Sequence, residues 1–149
     1  MTHADDWSLV HAILAREVPE VASGAVELRR IARAPGRRTK LAVASLSPEL
    51  DPVVACVGSK ATRIKAVVTA LGGERIDMLP WSDVPERFVK LALAPADVRS
   101  VDLDFVGHRA TAHVPPDQLD LARGDDDLNS NLASELTGWT VAVVADGAG

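Results

Sequence analysis

Apolar and polar positions along this chain switch between a helical and an alternating rhythm, and the switches mark out its elements. From Asp5 to Arg16, Trp7, Val10, Ile13 and Leu14 recur at helical spacing, with acids at the N-terminal end where the helix dipole favours them; Pro19 closes the segment. AVELRRIA, residues 25 to 32, alternates imperfectly with Val26, Leu28 and Ile31 facing inward, and RRTKLAVAS, residues 37 to 45, supplies a second strand. Ala34-Pro35-Gly36 between them signals a hairpin. Pro52 suits the first turn of a short helix over 52–57, a longer helix spans 62–71 and stops at Gly72-Gly73, and Arg75 to Leu79 forms a third strand.

The same plan then returns, the signature of an internal duplication. PERFVKLAL, residues 85 to 93, predicts a helix with Phe88, Leu91 and Ala92 on one face. Strands are expected over 98–105 and 109–114, helices over 117–122 and 128–137, a last strand over 139–144, and fraying over 145–149. The fold class is therefore α+β, with one module over residues 1–81 and a second over 82–149. Met78 and Trp81 read as core and boundary packing, and Cys56 as a small buried hydrophobe.

Composition narrows the function. At 149 residues and 47% hydrophobic the chain can bury a real core, no run approaches a membrane span, and MTHADDW lacks the order of a signal peptide. A cytoplasmic protein without membrane association is expected. The single cysteine allows no internal disulfide, and the four histidines show no metal-ligand spacing, so no metal and no cofactor is expected. No serine sits in a nucleophile elbow and GSKATRIK lacks the Walker pattern, so no enzyme and no small-molecule substrate is indicated.

Charge changes the picture once the halves are separated. Net charge is −5, but residues 1–81 hold 11 Lys and Arg against 9 Asp and Glu, a net +2, while residues 82–149 hold 5 against 12, a net −7. A partner responds to local potential, so the first half is fitted to an anion and the second is not. Arg29, Arg30, Arg33, Arg37, Arg38 and Lys40 cluster around the hairpin turn with no acid among them. Such a group would repel itself unless something anionic visits.

The loop Gly58-Ser59-Lys60-Ala61 lies between two helices, where a glycine permits a sharp turn and the N-terminus of the following helix favours a phosphate. Lys60, Arg63 and Lys65 add formal charge beside it. VGSKATRIKAVVTALGGERIDMLPW resembles the GXXG loop, following helix and strand of a type II KH domain of the NusA family. REVPEV at 16 to 21, GAVELRRIARAPGRRTKLAVAS at 24 to 45, LDPVVACVG at 50 to 58 and DQLDLA…LASELTGW within 117 to 139 resemble the paired KH modules of NusA in the same order. Two tandem modules are implied, each a three-stranded sheet packed against helices. Nothing in the chain resembles NusA's polymerase-binding N-terminal domain or its OB-fold domain. With its first helix opening almost at the initiator Met, the chain is expected to be a short gene product of its own.

The resemblance implies single-stranded RNA held mainly by the first module, and a role in transcription elongation, termination or antitermination. Gly58, Ser59, Lys60 and Arg63 are expected at the phosphates, with Ala61 and Lys65 beside them. Val57, Ile64 and Val67 are expected to line an apolar groove, and Arg37, Arg38 and Lys40 to steer the strand. With only 3 Trp, 2 Phe and no Tyr, base stacking cannot dominate, so binding should be weak and salt-dependent. Ala61 replaces the motif's second glycine, at a cost on the order of 1 kcal/mol if the position needs positive φ.

In the second module the loop is Gly124-Asp125-Asp126-Asp127, where the family carries a basic residue, and Asn131 replaces the usual Arg. Each aspartate near a phosphate costs roughly 1–3 kcal/mol, so this module is expected to keep its fold and lose phosphate binding. The aspartates admit three roles: a helix N-cap on a solvated loop, an acidic patch for a basic protein, or a divalent-metal site. The rival function for the whole chain is a protein-interaction module on a KH scaffold that has lost RNA, docking a basic partner such as RNA polymerase or a ribosomal protein.

Overall fold

The computed structural model describes residues 3–146, and the chain divides into two compact units between Trp81 and Ser82. The first unit runs α1 (His3–Glu17), α2 (Pro19–Ala22), β1 (Val26–Ala34), β2 (Arg38–Ser45), α3 (Pro52–Val57), α4 (Thr62–Ala70) and β3 (Arg75–Pro80). The second runs α5 (Pro85–Ala92), β4 (Ser100–Asp104), β5 (Arg109–Val114), α6 (Leu119–Arg123), α7 (Leu128–Thr137) and β6 (Thr140–Ala145).

The two sheets share one topology. β2 is central, antiparallel to β1 and parallel to β3, and β5 stands likewise between β4 and β6. A parallel pair needs a long crossover, and the helix pairs α3–α4 and α6–α7 provide it. Each crossover is broken at its middle by the glycine-led loop, so both loops are pinned at both ends by helices of the core.

Local chemistry sets the boundaries. Asp51 Oδ1 accepts from Val53 N at 2.9 Å and Val54 N at 3.1 Å, capping α3, and Pro52 occupies the first helical position, where its missing N–H costs nothing. Pro19 does the same for α2; it opens a short helix besides closing α1, which ends at Glu17. The imperfect alternation of β1 is a bulge: Leu28 faces Val43, but Arg30 faces Ala42, so Arg29 is an extra residue and both arginines are exposed.

The first core gathers Val10, Ile13, Leu14, Val18, Val21, Val26, Leu28, Leu41, Val43, Ala55, Cys56, Val67 and Leu71, with Met78 packed against it. Trp7 stays at the rim, 38% exposed and stacked on His11. On α5 the buried positions are Phe88, Val89 and Ala92, with Leu91 only half-buried, because the pairs 88/92 and 89/93 share the inner face. β4 stops at Asp104, leaving Phe105 exposed, and residues 116–118 form a separate 3-10 turn before α6. Ala145 belongs to β6; of the segment expected to fray, residues 147–149 lie outside the described residues. No helix among the described residues is long and apolar enough to cross a membrane.

Candidate nucleic-acid interface

The loop between α3 and α4 has an unusual backbone. Gly58 sits at φ 78°, ψ 169°, and Lys60 and Ala61 both occupy the left-handed region, at φ 54° and φ 59°. L-residues pay for that conformation, by roughly 1–2 kcal/mol each. Gly58 N donates to Val54 O at 3.0 Å, Ala61 N to Gly58 O at 3.1 Å, and Thr62 Oγ1 to Ser59 O at 2.8 Å, which hold the turn. Ser59, Lys60 and Lys65 are exposed, whereas Val57, Gly58, Ala61 and Ile64 are half-buried. The side chain of Lys60 thus stands out from a loop whose strain is carried by the chain itself.

The other expected contacts divide. Arg37 is exposed at the hairpin turn. Arg38 and Lys40, expected to steer RNA, point into the unit instead. Lys40 is fully buried with its Nζ 2.9 Å from Asp77 Oδ2, and Arg38 Nη2 lies 2.6 Å from the same oxygen. Val67, expected in the groove, is a fully buried core residue. Arg63 is half-buried and bonded within the unit, its Nη1 donating to Ala55 O at 2.7 Å and Glu20 Oε1 at 3.0 Å.

Internal carboxylates relieve part of the arginine cluster, at Arg33, Arg38 and Lys40. Glu74 accepts from Arg33 Nη2 at 2.6 Å, from Gly36 N at 2.9 Å and from Thr39 Oγ1 at 2.9 Å, while Arg33 Nη1 also reaches Asp6 at 2.9 Å. Burial works against the Glu74 charge, but the hydrogen bonds from Arg33, Gly36 and Thr39 hold its carboxyl below the usual range. Burial lowers the Lys40 amine to about 8 despite Asp77. Glu74 at the end of the α4 crossover and Asp77 on β3 lie 37 to 41 residues beyond the cations they neutralise, and the parallel register of β2 and β3 sets Lys40 opposite Asp77. Their signal in the sequence is a pair of acids flanking Arg75 in GERID.

The acidic loop copies the first in backbone. Gly124 has φ 75°, ψ 174°, Asp126 φ 54° and Asp127 φ 62°, within a few degrees of Gly58, Lys60 and Ala61. All three aspartates are exposed. None makes a side-chain capping hydrogen bond, which corrects the N-cap expectation: Asp127 holds the N-cap position of α7 in the left-handed region and not in the extended backbone that a capping side chain uses. Among the described residues, no group of three His, Cys, Asp or Glu side chains is gathered to hold a metal ion.

Two sheets of identical topology, each crossed by a helix–loop–helix with a glycine-led turn, define a protein of two KH modules. Residues 4–81 match the description of a NusA-like first KH domain and residues 85–148 that of a NusA-like second KH domain. The chain belongs to the NusA-like KH family. It is 47% identical over 133 residues to the transcription termination/antitermination protein NusA of Thermus thermophilus, covering 89% of this chain and 34% of that protein. The corresponding protein of Bacillus subtilis is 42% identical, over 87% of this chain and 35% of its own length; that of Mycobacterium bovis is 41% identical, over 93% and 40%. The chain therefore spans little more than a third of these relatives. A solved structure titled "Crystal structure of APE1850" shares the fold, with a TM-score of 0.59 and 21% identity over 93% of this chain and 94% of that one.

Proposed function

We propose that this chain is a cytoplasmic single-stranded RNA-binding protein that grips RNA mainly through its first module and serves transcription elongation, termination or antitermination. The observation that carries it is the contrast of the two loops: one backbone, with exposed Lys60 in one and exposed Asp126 at the matching position in the other. A KH cleft holds about four nucleotides, with the loop clamping backbone phosphates. Lys60 and the backbone of Gly58 and Ser59 supply the clamp beside Ala61, Val57 and Ile64 offer an apolar wall, and Lys65 and Arg37 add local positive potential. Arg38, Lys40 and Val67 have no part in it.

Fluorescence anisotropy of a labelled RNA of roughly ten nucleotides, at about 50 and about 200 mM salt, tests the proposal. Binding should be detectable at the lower salt, weaken at the higher, and be lost in Lys60→Glu. Asp126→Lys should strengthen binding through the second module. Absence of binding at low salt, or indifference to Lys60→Glu, overturns it.

The second module supports a further role, because its three loop aspartates are all exposed and its half of the chain carries net −7, from 5 Lys and Arg against 12 Asp and Glu. That surface suits a basic patch on a protein of the transcription or translation machinery, such as RNA polymerase or a ribosomal protein. Capture of such a partner by the parent chain but not by an Asp125→Lys/Asp126→Lys variant checks it.

A further inference from the structure

Arg63 lies in the first turn of α4, where a phosphate contact is expected, but its surroundings give it another task. Its aliphatic stem crosses directly over Gly58: a Cβ placed on that glycine would lie 2.7 Å from Arg63 Cγ and 3.0 Å from both its Cβ and Cδ. Beyond the glycine, Nη1 reaches Ala55 O at 2.7 Å and Glu20 Oε1 at 3.0 Å. Ala55 lies in the last turn of α3, where carbonyls lack a partner within the helix. Glu20 belongs to α2, so one side chain ties three helices together across the base of the loop. The guanidinium charge is met inside the unit by a carboxylate.

The second unit repeats the arrangement with different chemistry. Asn129 stands five positions after Gly124, as Arg63 stands five after Gly58. A Cβ on Gly124 would lie 2.8 Å from Asn129 N and 2.9 Å from its Cβ. Asn129 Nδ2 donates to Ala122 O at 2.7 Å, in the last turn of α6, and to Leu93 O at 3.1 Å. An arginine and an asparagine thus share one position and one job, in one loop with a lysine and another with three aspartates. What the two loops have in common is the strap over the glycine. Its charge they do not share.

From this we infer that Arg63 is a positioning residue: it straps the base of the RNA-binding loop so that Lys60 and Ala61 stay left-handed, and it makes no contact with phosphate. The inference rests on the RNA-binding proposal for its consequence, but the strap itself is testable without RNA. Removing a cation that touches single-stranded RNA flattens the plot of log affinity against log salt by about 0.7, whereas removing a strap lowers affinity equally at every salt.

The experiment compares the parent with Lys60→Gln, Arg63→Gln and Glu20→Gln, each confirmed folded by its melting transition. Salt series of RNA anisotropy are paired with amide hydrogen exchange in the absence of RNA. Lys60→Gln should flatten the slope by about 0.7; Arg63→Gln should weaken binding about fivefold to tenfold with an unchanged slope. Exchange at the Gly58 and Ala61 amides should speed up in Arg63→Gln, and only there among the loop amides of Lys60→Gln and Arg63→Gln. Glu20→Gln should leave the slope as it is. A flatter slope in Arg63→Gln, a steeper one in Glu20→Gln as a released guanidinium finds phosphate, or unaltered exchange in Arg63→Gln would each overturn the inference. If the parent binds no RNA, the functional proposal fails, and the exchange data still decide the strap.

Discussion

Lys40 is the residue at which charge and burial oppose each other most directly. Its amine is fully buried and lowered to about 8 from 10.5, chiefly by desolvation, with Asp77 working the other way. Because the folded chain holds this proton less tightly than the unfolded chain, stability rises with pH through the interval from about 8 to 10.5 and falls as pH drops through it. Cys56 opposes this: burial, then the Glu20 carboxylate, push its thiol up to about 11 from 9.0, so stability present below pH 9 is lost as pH climbs toward 11. Urea midpoints should therefore rise by the equivalent of about 1 kcal/mol between pH 8 and 9, level off above, and keep rising in Cys56→Ala. Lys40→Met should abolish the rise at little cost in stability. Asp77→Asn, which strips Lys40 and Arg38 of their shared carboxylate, should cost about 3–5 kcal/mol.

At the scale of the element, the loop between α3 and α4 holds two L-residues in the left-handed region, and one of them is an alanine with nothing to gain there. Ala61→Gly relieves that strain while adding freedom to the unfolded chain, and the balance should favour the folded state by about 0.5–1 kcal/mol. A higher thermal midpoint and tighter RNA binding are the expected readouts. Gly58→Ala should do the reverse, since φ +78° and a stem at 2.7 Å leave no room for a methyl group. A loss of about 2 kcal/mol or more is expected, and a smaller one in the Arg63→Gly background, where the stem is gone and only the strain of the positive φ remains, roughly 1–2 kcal/mol. The bulge in β1 shows another element-scale effect. One extra residue exposes Arg29 and Arg30 together, and Arg29 then lies 4.7 Å above the half-buried ring of Trp81.

Over the whole molecule, two units of one topology have opposite charge character. The first carries 11 Lys and Arg against 9 Asp and Glu, the second 5 against 12. Yet the cations that matter are fewer than the count suggests, because Arg33, Arg38, Lys40 and Arg63 are each committed to a carboxylate of the same unit. The slope of log affinity against log salt should accordingly be shallow, about 2 to 3 for three or four phosphate contacts. A slope near twice that would mean that the internal pairs open on binding.

Periodicity and turn residues by themselves determined the order of the main elements, short α2 excepted, the repeated plan and the glycine-led loops, because helix and strand rhythms, Pro at helix starts and Gly at turns are local properties of the chain. Charge counted by halves likewise separated the cationic unit from the acidic one. Which cations face solvent was decided only in three dimensions. The parallel register sets Lys40 opposite Asp77, the α4 crossover carries Glu74 to Arg33, and Arg63 folds back over Gly58 to Ala55. Electrostatic pairing depends on distance in space, and a run of arginines shows nothing of the carboxylates that a fold brings to meet it.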